Sequence, residues 1–182
     1  VRVRPYGITE IEKKKDFITY LENLDLDYNE MNPKDLAAKL TEFNIIKIKE
    51  IIGENKWFSL PLSMQMLASD IYWNAGQLFN NFKKGLIKAD YEFALNNILG
   101  IFSSYDPKAK KKAVFVGLIN RRVDWYNFVA EDLDFKTITD YSVEKSKEKG
   151  KKTVIIYEYS DGTSHIINTK LDLHSRSKYR KK

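Results

Sequence analysis

From Pro61 onward Met64, Leu67, Ile71, Ala75 and Leu78 recur at spacings of three and four, which predicts a helix with one apolar stripe. Few charged residues flank that stripe, so the helix is expected to be central. Earlier in the chain, Thr9 with Glu12 three positions later reads as a capping box for a helix from about Glu10 to Leu24. Asn32 followed by Pro33 reads as an N-cap with proline at the first helical position. Leu36, Ala37 and Leu40 then predict a helix over 33–42, and Ile45, Ile48 and Ile52 a second short one stopped near Gly53. Gly85 is expected to break the chain before a helix over 88–102 that carries Tyr91, Ala94, Leu95, Ile98 and Phe102. Asp106-Pro107 is expected to open one more helix reaching about Ala130, although Lys108, Lys110, Lys111 and Lys112 would then oppose its dipole.

The last fifty residues follow a different pattern. Residues 153–159 and 163–171 are rich in β-branched and aromatic side chains and flank Ser160-Asp161-Gly162. Asp-Gly between two such runs predicts a β-hairpin. Residues 144–152 read as a solvated loop, and the basic segment 174–182 as a mobile tail. The fold class expected is mainly α: a helical domain over 1–132 and a small β-hairpin module with a basic tail over 133–182.

Composition narrows the chemistry. The 182 residues are 43% hydrophobic and 13% aromatic, enough for a packed core. There is no Cys, so disulfides, Cys-based zinc sites and thiol nucleophiles are excluded. The two His, His165 and His174, are too few for a multi-His metal site, so no metal and no cofactor are expected. A net charge of +6 favours polyanions, whether nucleic acid, anionic lipid or a bacterial envelope polymer. No apolar run is long enough to span a bilayer, and no signal-peptide pattern is visible.

Three spaced motifs stand in order: Tyr6-Gly7-Ile8-Thr9; Leu60-Pro61 followed by Asp70-Ile71-Tyr72-Trp73-Asn74-Ala75-Gly76; and Gly117-Leu118-Ile119-Asn120-Arg121-Arg122. Their order resembles glycoside hydrolase family 108, the N-acetylmuramidase-like phage endolysins, and more broadly the lysozyme superfamily. The resemblance covers about residues 5–130. It implies a lysozyme-like helical domain that cleaves the peptidoglycan glycan strand at the bacterial cell wall or periplasm, in a phage-encoded or virion-associated setting. Peptidoglycan is then the partner, with other virion or secretion-machinery proteins beside it; nucleic acid is not expected, because it leaves the motif order unexplained. An inactive, structural or wall-binding relative is the alternative.

The resemblance implies a substrate cleft formed by Tyr6, Thr9, Asp70, Trp73, Asn74 and Arg121. The hydroxyl of Thr9 would position a water. Asp70 and Asn74, four apart, share a helix face suited to sugar hydroxyls and amides. Each also has a structural reading: Asp70 as a salt-bridge or cap, Asn74 and Gly76 as a helix terminus, Arg121 and Arg122 as ties between helices, and Trp57, Trp73 and Trp125 as core. The family's catalytic Glu lies on a helix well before the first motif. Here five residues precede Tyr6 and none is acidic, so either the acid is expected upstream of Val1 or this is a lysozyme-like domain without it. Glu10 and Glu12 are the nearest acids, but they fit the first turn of a helix, where carboxylates are favoured anyway.

Overall fold

A computed structural model describes residues 11–181, with the side chains of residues 14–181. Seven helices and two small antiparallel sheets lie among these residues, so the chain is about half helical with a real β component, a mixed α and β architecture. Two compact units divide between Tyr91 and Glu92. The boundary expected at 132/133 falls inside the second of them.

The first unit holds α1 (Ile11–Glu22), α2 (Pro33–Ile52), α3 (Glu54–Ser59), α4 (Leu62–Ala75) and α5 (Asn80–Lys88). The start of α2 is the one its sequence dictates: Asn32 is extended, and its side chain accepts the Asp35 N–H at 2.9 Å. The two helices expected over 33–42 and 45–52 are one helix, because Leu40, Phe43, Ile48 and Ile52 keep a single buried stripe through 43–44. It packs against α1, α3, α4 and α5, which makes α2 rather than α4 the hub of this unit. Gly53, at φ 94°, ends it. Phe17 and Leu21 of α1 meet Leu40 and Phe43 of α2 in a core that Tyr20, Tyr28 and Trp73 flank. Gly85 does not break the chain; it lies buried within α5, which ends instead at left-handed Ala89.

The second unit holds α6 (Tyr91–Ile98), β1 (Ser103–Asp106), β2 (Lys111–Val114), α7 (Val116–Asp132), β3 (Ile138–Lys145), β4 (Thr153–Tyr159) and β5 (Ser164–Thr169). The helix expected from Asp106-Pro107 is a hairpin in its first third. Asp106 is buried, its carboxylate accepts the Lys108 N–H at 2.9 Å, and β1 pairs with β2 from Ser103↔Val114 to Asp106↔Lys111. The four lysines therefore do not oppose a helix dipole; they sit at and after a turn. The hairpin expected around Asp161-Gly162 is present as β4–β5, with Gly162 at φ 83°. An additional strand, β3, completes the sheet in the order β3-β4-β5. Along β4, Thr153, Ile155, Tyr157 and Tyr159 are buried at every second position. The face of α7 that carries Tyr126 and Val129 is buried, and α7 packs on β3. The Asn127 amide joins the two: it accepts the Ile138 N–H at 2.7 Å and donates to the Ile138 carbonyl at 2.9 Å.

The basic tail is held rather than loose. Leu173 bridges to Val114, and Arg180 bridges to Val143 with backbone hydrogen bonds in both directions, at 2.7 and 2.9 Å. The Arg180 guanidinium pairs with Asp140 at 2.9 Å and lies 3.9 Å over the Tyr141 ring.

Candidate functional site

Three of the six cleft residues read from the sequence come together at the end of α4. Gly76 caps that helix in the left-handed conformation at φ 66°, donating its N–H to the Tyr72 carbonyl. One turn earlier, the Asn74 amide donates to the Asp70 backbone carbonyl at 2.8 Å and to the Asp70 carboxylate at 3.2 Å. This places an acceptor-rich carboxylate and an amide side by side on a half-buried face. Trp73 is also half-buried and packs against the Phe17–Phe43 core, so its ring serves that core. Arg121 is exposed on α7 in the second unit, while its neighbour Arg122 is buried and donates from Nε to the Ile101 carbonyl at 3.1 Å. Tyr6 and Thr9 lie outside the described residues, as do Glu10 and the side chain of Glu12. Two concavities of the first unit flank the 25–32 loop and are lined in common by Asp25, Leu26 and Asp27; Asp70, Trp73 and Asn74 line neither.

The electrostatics of the carboxyls point one way. Among the described residues, Glu42, Asp106, Asp161 and Asp172 are each held below their ordinary pKa. Lys39 donates to Glu42, Thr163 to Asp161, and Lys111 and Lys152 to Asp172. For Asp106, burial pushes the pKa up, but the Lys108 and Ala109 N–H groups and the facing His174 outweigh it. Among the described residues, no group of three or more His, Asp or Glu is arranged to hold a metal ion.

Two side-chain clusters of the second unit were not visible in the sequence. In one, Asp106 faces His174 Nε2 at 3.3 Å while the His174 ring stacks on Phe115 at 4.2 Å. In the other, the Asp172 carboxylate takes ion pairs from Lys111 and, at 3.1 Å, from Lys152. The residues that touch in them lie twenty to sixty-eight positions apart, so no local spacing announces them. Charge is divided just as sharply. Residues 1–91 carry thirteen Lys and Arg against thirteen Asp and Glu; residues 92–182 carry eighteen against twelve, the whole of the +6. His165 is half-buried on β5 with Nδ1 3.3 Å from the Tyr159 hydroxyl. Burial first, then Lys136, lowers its pKa.

No family model matches this chain, and no solved structure matches it. A Rho guanine nucleotide exchange factor 10-like protein of Pongo abelii is 26% identical over 117 residues, which is 62% of this chain and 10% of that protein. The chain thus spans about a tenth of the length of the curated relative it matches, and a likeness of that extent assigns it to no family. No helix is long and apolar enough to cross a membrane among the described residues.

Proposed function

We propose that this chain is a peptidoglycan-directed protein of the muramidase kind, related to glycoside hydrolase family 108, which engages the glycan strand through the end of α4. The observation that carries the reading is the Asp70–Asn74 pair, a carboxylate and an amide joined across one helical turn on a half-buried face. Such a pair can accept from sugar hydroxyls and bond N-acetyl groups, whose amides offer one donor and one acceptor. Cleavage would further require a carboxylic acid kept protonated near neutral pH to donate to the leaving oxygen. The test uses purified peptidoglycan and two readouts: retention of the chain on the insoluble polymer, and the appearance of reducing ends. Binding that falls several-fold in Asp70→Ala supports the reading, and no retention of the unaltered chain rejects it.

A second reading, attachment to the wall without cleavage, is favoured by the Asp70–Asn74 contact itself, since a carboxylate and an amide side by side equip the face to hold sugar hydroxyls and N-acetyl groups. Retention on peptidoglycan with no new reducing ends would select it.

A further inference from the structure

Besides its basic tail, the second unit carries two lysine-rich segments remote from each other in sequence. The β1–β2 turn and the start of β2 supply Lys108, Lys110, Lys111 and Lys112; the end of β3 and the β3–β4 connection supply Lys145, Lys147, Lys149, Lys151 and Lys152. Left alone, two such segments would repel each other. Here the stretch 169–174 is stitched between them. Lys152 donates its N–H to the Thr169 carbonyl at 2.8 Å and Thr153 donates its hydroxyl to the Leu171 carbonyl at 2.8 Å. On the other side Val114 donates to the Asp172 carbonyl at 2.9 Å, and His174 donates back to Val114 at 2.8 Å. Asp172, at the centre of that stretch, takes Lys111 and Lys152 on the same carboxylate oxygen, and their hydrogen bonds hold its pKa down. One negative charge thereby holds two lysine segments together, while Lys110, Lys112, Lys147 and Lys149 stay exposed with no ion pair among the described residues.

We propose that these two segments, joined by Asp172, form a binding surface for a phosphodiester-linked polyol polymer of the bacterial envelope. The choice of a wall polymer rests on the peptidoglycan reading above; the chemistry of the surface does not. Lysine is a flexible point charge suited to phosphate oxygens. Residues 107–112 and 144–152 contain no Arg, Asn, Gln or aromatic residue. Base-edge recognition and base stacking both depend on such side chains, so the surface fits a chain of phosphates without bases.

The test is binding of poly(glycerol phosphate) to the full chain, followed by fluorescence at several salt concentrations. Affinity should fall steeply with salt, and by about tenfold or more in the exposed-lysine variant Lys110→Glu/Lys112→Glu/Lys147→Glu/Lys149→Glu. Equal affinity of that variant, with an unchanged circular-dichroism spectrum, overturns the proposal. So does tighter binding, at the same salt, to oligo-dT or to phosphatidylglycerol vesicles, which would make the partner a nucleic acid or a lipid surface. Asp172→Asn separates assembly from net charge. It should weaken binding although it removes a negative charge and so raises the net charge by one, and strengthened binding overturns the role given to the carboxylate. Because the probe contains no glycan, these outcomes are independent of whether α4 binds peptidoglycan.

Discussion

Single side chains in this protein act mainly through buried polar contacts. The Tyr157 hydroxyl donates to the Leu99 carbonyl at 2.8 Å inside the second unit, and burial pushes its pKa far up. Tyr157→Phe leaves that carbonyl unpaired, so the variant should lose about 1–2 kcal/mol in urea unfolding. A loss near zero would mean that water reaches Leu99. Asp106 tests the charge alone, since Asn in its place can still accept the Lys108 N–H. Its pKa is lower in the fold than in the open chain, so its ionised form contributes stability above the ordinary carboxylate value of 3.8. That contribution vanishes as pH falls through the lowered value. The urea-midpoint gap between wild type and Asp106→Asn should therefore close between about pH 5 and the acid limit, whereas a constant gap would contradict the assignment. His165 has the same sign: its folded pKa lies below 6.5, so protonation below that value should destabilise the sheet, and its ring resonances should titrate late in NMR.

Elements differ in how openly the sequence declares them. Helix ends were legible wherever a residue has a stereochemical reason to be there: Asn32-Pro33, Gly53 and Gly76 all do what their chemistry requires. Gly76→Ala should accordingly cost about 1 kcal/mol by thermal melting, because its φ is positive, while the neighbouring Gln77→Ala should cost far less. The hairpin of β1 and β2 was not legible, because Asp-Pro initiates a helix and a turn equally well. What decides it is the burial of Ala113 and Val114 and the contact of Asp106 with His174, a residue at the far end of the chain. β3 was hidden for a different reason. A register shift between Ile138 and Asp140 breaks the alternation that marks a strand, and polar Ser142 is buried within it. At the site, Asp70 and Asn74 could be paired from their spacing, but that Trp73 serves the Phe17 core depends on α1, α2 and the loop between them.

The whole molecule joins a neutral unit to a basic one between Tyr91 and Glu92, and just before that boundary Ala89, at φ 54°, strains a non-glycine residue between exposed Lys88 and Asp90. Brief trypsin treatment should cut first after Lys88, giving two fragments by mass spectrometry; first cleavage inside α7 would contradict the division. The charge imbalance predicts that ionic strength governs contacts of the second unit and leaves the first nearly indifferent. Arg180 has a further role at this scale. By exchanging both backbone hydrogen bonds with Val143, it occupies the side of β3 that β4 leaves open. Truncation after Ser177 would uncover the Val143 amide and carbonyl on that open edge and invite strand exchange with neighbouring molecules. Concentration-dependent oligomers on gel filtration should follow, so the last few residues guard against self-association whatever polymer the lysines hold.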